Sequence, residues 1–323
     1  MGADPWGQES RYRPGDTQQT SSQPAPTQAL PPKPILPQQV YLSITGANLK
    51  VVVKKLEEIN QSCIPERKDI ALDSVQINTL KQLVQQLESS SAGLPKPQEQ
   101  SAEQGMSILT QVISRWPVVS ILPALDLLRI LVSASSSAAA YGSSSSNSAG
   151  QTTIIDTFNH IGLSSQKAMP NHIMLAVRAL ANMFMQEGGR LCASKQFDAI
   201  QEFVRPLLTD KSNRNLGVAL ATLYINYAVF FTSPKRRDLP ETHEQSISLI
   251  KYISLLLQTW NDSEVVYRSL VAIGTLLYVG DDTAKIAKSN VDMTRHIKAT
   301  GSASKEPRIK RIVAEIEEHL SLV

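Results

Sequence analysis

The sequence predicts an all-α fold arranged as an α-solenoid, and three observations carry that prediction. Apolar residues recur at i, i+3, i+4 and i+7 through most of the 323 residues, while strict alternation over six or more residues is hard to find. Four helices, 121–132, 172–185, 216–231 and 265–277, are apolar on nearly every face, and a helix without a polar face must be covered by neighbours. These inner helices follow one another at roughly 40 to 50 residues without a sharp consensus, as stacked helical repeats do. A stack accounts for both the length and the lack of a clean domain boundary; a compact all-α bundle is the alternative.

The elements follow in order. Residues 1–39 carry eight of the 18 prolines among Gln, Ser and Thr, too little apolar surface to offset ordering entropy, which predicts a disordered or polyproline linker over residues 1–36. A folded chain that begins with a linker reads as the C-terminal piece of something longer. Leu49, Val52, Val53, Leu56 and Ile59 predict one helix; Val75, Leu80, Leu83, Val84 and Leu87 predict another, with Asp73 and Gln76 spaced as a capping box. Low-complexity stretches fall at 89–104 and at 133–150, the second rich in Ser and Ala and predicted to be a solvated loop between helices. A helix is expected over 154–163. Glu187-Gly188-Gly189-Arg190 reads as a helix C-cap and turn. Asp210 precedes the Asn215 segment as a start signal, and Pro170, Pro240 and Pro307 stand where helices begin. The reading gives about ten to fourteen helices and no sheet.

Composition excludes several classes of function. Cys63 and Cys192 lie far apart, so neither a disulfide scaffold nor a four-ligand zinc site is available, and His160, His172, His243, His296 and His319 show no metal-ligand spacing. No Gly-x-Ser-x-Gly, P-loop, His-Glu-x-x-His or Cys-x-x-Cys occurs, so neither enzyme chemistry nor a cofactor is expected; a cysteine nucleophile is the weak alternative. Thirty-two Lys and Arg against 29 Asp and Glu leave a net charge of +3, too small to mark the whole chain as a nucleic-acid binder. The basic clusters Lys235-Arg236-Arg237 and Lys305, Arg308, Lys310, Arg311 lack interleaved aromatics and read as solvated faces. No signal peptide is visible, and no apolar run reaches the roughly 18 residues of a membrane span. A soluble intracellular protein is expected, with no membrane and no nucleic-acid partner.

The informative residues are those that interrupt the inner helices. Arg129, Arg178 and Arg268 each sit among aliphatic residues, and a buried guanidinium without a partner is costly. Asn182 follows Arg178 by four residues, Thr275 follows Arg268 by seven, and Thr222 precedes Asn226 by four, so each pair shares a helix face. Two readings are open. Either these side chains line an inner surface and grip an extended peptide and its carboxylates, or the arginines pair internally with residues such as Asp126, Glu187 or Glu264 and hold the stack together, as in a structural or dimerisation module.

Trp116-Pro117 followed by PALDLLRILV, then PNHIMLAVRALANMF, NLGVALATLYINYAV and VVYRSLVAIGTLL, occur in an order that resembles the PUL domain of the PLAA/Ufd3/Lub family of ubiquitin-pathway adaptors. Asp4-Pro5-Trp6 with Arg11-Tyr12-Arg13-Pro14-Gly15 resembles the segment that precedes this domain in the family. The resemblance implies a PUL domain over 37–323, a crescent of about six armadillo-like repeats. It implies a basic concave groove that binds the C-terminal tail of the AAA+ ATPase valosin-containing protein, in the cytoplasm and nucleus. Carried over by position, the groove residues are Arg129 and Arg268, with Arg178, Asn182, Asn226 and Tyr227 as further lining; the reading requires the first two to be solvent-accessible. The insertion at 133–150 is longer than the family pattern. The family's β-propeller and ubiquitin-binding domain lie outside this chain, so ubiquitin is expected to be bound elsewhere, and no residue set here suits lipid hydrolysis.

Overall fold

The computed structural model describes residues 34–63, 67–91, 97–143, 152–165 and 169–323; of the linker predicted over residues 1–36, residues 1–33 lie outside the described residues, while Leu36 is buried against the helices. Among those described there are fifteen α-helices, four short 3-10 turns and no strand. The helices are α1 (Leu49–Cys63), α2 (Ser74–Ser91), α3 (Glu99–Arg115), α4 (Leu122–Ala134), α5 (Ser136–Ala139), α6 (Ile154–His160), α7 (Pro170–Asn182) and α8 (Glu187–Lys195). They continue with α9 (Phe197–Val204), α10 (Arg214–Phe231), α11 (Pro240–Thr259), α12 (Ser263–Leu276), α13 (Asp281–Ser289), α14 (Val291–Ala303) and α15 (Pro307–Ser321).

Local sequence sets the helix starts. Pro170, Pro240 and Pro307 are each the first helical residue, where a missing N–H costs nothing. The Asp73 and Gln76 side chains each accept the other's backbone N–H, at 2.8 and 3.1 Å. Thr153 and Asp156 form the same reciprocal box at the start of α6. Asp262 caps α12 by accepting from Glu264 and Val265. The cap of α10 is Asn213, not Asp210, whose carboxylate accepts from Ser212 in the preceding turn.

The strongly apolar helices form the stack. Helices α1, α4, α7, α10, α12 and α15 pack in succession, each against the next, and α2, α3, α11, α13 and α14 cover them from outside. The neighbours bury α4, α7, α10 and α12 almost completely, including Leu125, Leu128, Val177, Leu220, Tyr224, Leu270 and Ile273. At about 1.5–3 kcal/mol for each large apolar side chain removed from water, this row is the main source of stability. Polar anchors fix the layers: Trp116 Nε1 donates to the Ile70 carbonyl at 3.0 Å and Trp260 Nε1 to the Leu208 carbonyl at 3.1 Å.

Two expectations are corrected. The segment 133–150 does not begin as a solvated loop. Ser135, Ala138 and Ala139 are fully buried, α5 packs against α3 and α8, and the Glu99 carboxylate accepts from the Ser135 hydroxyl at 2.7 Å and the Ser137 N–H at 2.8 Å. Small side chains let α5 nest between its neighbours, and the rest of the insertion, 144–150, lies outside the described residues. Likewise Glu187-Gly188-Gly189-Arg190 opens α8 rather than closing a helix. A Cβ on Gly189 would stand 2.1 Å from the Met183 carbonyl oxygen, so close approach rather than a turn requires the glycine.

Candidate peptide-binding groove

Ahead of α1, residues 34–48 form no helix and no strand, and they cross the inner row of helices as an extended strap. Leu36, Leu42 and Ile44 are buried against the stack. The strap is held mainly through its backbone, by one polar side chain from each of five successive inner helices.

Glu315 on α15 accepts from the N–H groups of Ile35 and Leu36, at 2.8 and 2.9 Å to Oε2. Thr275 on α12 accepts from Gln38 N–H at 3.0 Å. Asn226 on α10 makes a two-way pair with Leu42, accepting its N–H at 2.8 Å and donating to its carbonyl at 2.8 Å. Asn182 on α7 does the same with Ile44, at 2.8 and 3.0 Å. Arg129 on α4 donates to the carbonyls of Ile44 and Gly46 at 2.6 and 2.7 Å. The strap therefore runs from the last helix of the row to the first, against the order of the stack.

The two asparagines also bind the stack itself. Asn182 donates to the Arg129 carbonyl at 2.8 Å, and Asn226 to the Ala181 carbonyl at 2.9 Å. Each amide thus joins two neighbouring helices and the strap through one side chain. A carboxamide suits this role because it carries a donor and an acceptor on one planar group, matching the N–H and C=O of an extended residue.

Beside this ladder, up to two helical turns earlier on the same helices, lies a row of charge. Asp126 accepts from Arg129 Nε at 2.6 Å, so the first predicted groove arginine is paired on its own helix. Arg268 donates to Glu264 at 2.6 Å and to the Thr222 hydroxyl at 2.5 Å. Arg308 on α15 shares Glu264 at 2.7 Å, binds Glu306 at 2.7 Å and stacks over the Tyr267 ring at 4.6 Å. Burial alone would raise the Glu264 carboxyl, but Arg268 and Arg308 together outweigh it and hold it below the ordinary value. For Asp126, burial wins over Arg129 and the pKa is raised.

The expected solvent access of Arg129 and Arg268 is not found: they are 2% and 3% exposed. The reason is that strap and stack together supply their acceptors, and Asp126 and Glu264, two of the three partners the sequence offers, are the ones they take. Arg178, Asn182 and Asn226 do share the inner face with them. Tyr227 does not: its hydroxyl donates to the Ala193 carbonyl at 3.0 Å and its ring packs edge-on against Phe184 and Phe197, on the side facing α8. Cys192 is buried, and burial pushes its thiol up to about 11, the wrong direction for a nucleophile. Among the described residues no cluster of His, Cys, Asp and Glu could hold a metal, and no helix is long and apolar enough to cross a membrane.

Glu315 and the strap itself are absent from the sequence reading. The strap leaves only a short alternating signal, Val40, Leu42 and Ile44 between Tyr41, Ser43 and Thr45, because its contacts are made by the main chain. Glu315 has a weak signal as well, standing four residues after Arg311, to which it pairs at 3.2 Å.

A family model described as the PUL domain matches residues 36–315. The chain is 28% identical over 268 residues to the phospholipase A-2-activating protein of Xenopus laevis, covering 83% of this chain and 30% of that one. It is 25% identical over 240 residues to the ubiquitin homeostasis protein lub1 of Schizosaccharomyces pombe, covering 74% and 29%. The chain thus spans under a third of the length of these relatives. A designed armadillo repeat protein, solved in complex with the peptide (KR)4, superposes with a TM-score of 0.51 at 13% identity over 85% of this chain and 100% of that one. That likeness makes the stack an armadillo-like solenoid.

Proposed function

The chain belongs to the PUL domain family, and on that premise we propose that it is a docking module that binds a peptide along the inner face of its solenoid. One observation carries the reading: the inner face is already built to hold an extended chain by its backbone, with an arginine row beside the ladder. The peptide is the C-terminal tail of the AAA+ ATPase valosin-containing protein, as the family resemblance implies; Arg129 and Arg268 are buried and internally paired, so acidic tail residues answer the positive potential of the row rather than bonding those two guanidiniums. The strap stays in place and forms one wall. Releasing it would expose Leu36, Leu42 and Ile44 at about 1.5–3 kcal/mol each, besides its hydrogen bonds, so the tail lies alongside rather than in its place.

By this reading the domain performs no chemistry. It tethers a larger adaptor to the ATPase in the cytoplasm and nucleus, in ubiquitin-dependent degradation and ubiquitin homeostasis, as the name of the fission-yeast relative supports. Ubiquitin is bound by another part of the adaptor.

Fluorescence anisotropy of a labelled C-terminal peptide of the ATPase, at two salt concentrations, tests this. The expected result is saturable binding that weakens with salt; absence of binding at either salt overturns it. A second reading has its own support. Arg129 and Arg268 are internally paired, as a purely structural or dimerisation module requires. That reading predicts no peptide binding and a concentration-dependent mass by sedimentation.

A further inference from the structure

The last two helices enclose a groove that neither the strap nor the inner face uses. Helices α14 and α15 touch near Gly301, where an added Cβ would stand 2.7 Å from a Val313 methyl. The glycine lets the two backbones close up at this end, and toward the other end they flank a cavity of about 490 Å³. Its floor is Ile297 of α14 with Ile316 and Leu320 of α15, and Val291, 60% exposed, stands at the mouth. Its size is that of a site for a small ligand or one large side chain. No residue of the strap ladder or of the charged row lines it.

The rim is asymmetric. Lys288, Arg295 and Lys298 stand on the side of α13 and α14, and Glu317 of α15 is the one acid among the lining residues. Lys288 donates to the Val323 carbonyl at 2.8 Å and Arg295 to Asp292 at 3.0 Å, both on the exposed surface. The Lys298 ammonium has no partner among the described residues. Exposed pairs are weak, so all three cations are free to turn to a ligand, while their aliphatic stems extend the apolar wall.

We propose that this groove docks a short acidic motif of a partner protein, anchored by one aromatic side chain. The floor takes a large apolar group, and the cations at the rim favour a ring over an aliphatic chain by attraction to its face. Carboxylates flanking the anchor answer the cations, on the α14 side, because Glu317 repels them from α15. A nucleic acid fits less well, since no aromatic residue lines the groove to stack a base. The inference is independent of the inner-face reading.

The test is anisotropy of a fluorescein-labelled Asp-Asp-Trp-Asp-Asp peptide titrated with the full chain. Saturable binding is expected, at least about tenfold weaker when Ala replaces Trp or Lys replaces the four Asp. Lys298→Glu and Val291→Asp, both at exposed positions, should each weaken binding at least about fivefold with an unchanged melting temperature, and Glu317→Lys should strengthen it. Excess unlabelled ATPase tail peptide should displace nothing. Absence of binding, equal binding of the Ala analogue, or unchanged binding by Lys298→Glu overturns the proposal; so does displacement by the tail, which would place the peptide on the inner face. If the tail binds nowhere while the acidic peptide responds to Lys298→Glu and Val291→Asp, the inner-face reading falls and this groove stands. Vesicles of equal phosphatidylserine and phosphatidylcholine are run alongside; their capture through Lys298 without peptide binding would give the groove to a lipid and overturn the protein motif.

Discussion

Replacing Asn226 by Ala removes the two-way pair at the middle of the strap. The side chain is fully buried and makes three hydrogen bonds, two to Leu42 and one to the Ala181 carbonyl, at 2.8, 2.8 and 2.9 Å. Alanine leaves the buried Leu42 N–H and carbonyl without partners, while the Ala181 carbonyl keeps the Met183 N–H. Each unsatisfied buried group costs about 1–3 kcal/mol, so the two together cost about 2–6 kcal/mol. At about 2 °C per kcal/mol for a domain of this size, the melting temperature should fall by roughly 4–12 °C. The loss should begin in the strap, because Leu42 loses both of its partners while Ile35 and Leu36 keep Glu315. Hydrogen exchange by mass spectrometry, read on peptides covering 34–48, should show faster exchange around Leu42 with protection retained near Leu36. A variant that unfolds within about 1 kcal/mol of wild type, with Leu42 still protected, would refute the ladder as an energetic device.

Three further outcomes are expected. Arg129→Ala orphans the buried Asp126 carboxylate and takes the guanidinium from two strap carbonyls, of which Ile44 keeps Asn182, and should cost about 3–5 kcal/mol by urea unfolding; the double variant Arg129→Met/Asp126→Leu should recover part of that loss. The Glu264 carboxyl is held below its ordinary value, so its contribution to stability is present at neutral pH and is lost as pH falls through the folded-state value, below about pH 4.5; Glu264→Gln should flatten that part of the acid limb in pH-dependent melting curves. In a Cys63→Ser background, Cys192 should react with a thiol reagent at pH 8 more slowly than a free thiol, since burial raises its pKa to about 11, and reaction faster than a free thiol would contradict that environment.

The inner helices were legible because their information is carried by side chains with a period. A run such as LGVALATLYINYAVFF has no polar face, and only an inner position satisfies it. Proline marked three helix starts for an equally local reason. What escaped the sequence depends on partners distant along the chain. Asn226 and Leu42 are 184 positions apart, and Glu315 and Ile35 are 280 apart. A strap held by its main chain imposes little on its own side chains, so a Pro- and Gln-containing stretch looks like a continuation of the linker. The arginines were rightly singled out as costly, but sequence alone cannot weigh solvent against a backbone carbonyl that folds back onto the same helix. Tyr227 was misplaced by neighbourhood: Asn226 faces the strap, and the next residue, about 100° further round the helix, faces α8. The Ser/Ala stretch failed because composition that reads as loop also suits a short helix wedged where only small side chains fit.

The central claim, that the inner face of the stack receives an acidic peptide beside the strap, is tested most directly by photo-crosslinking. A tail peptide of the ATPase carrying a benzophenone at successive positions, irradiated with wild-type protein and mapped by mass spectrometry, should label the strap and the inner helices α7, α10, α12 and α15, with excess unlabelled peptide suppressing the products. Crosslinks confined to the outer helices α2, α3, α11, α13 or α14 would contradict the account.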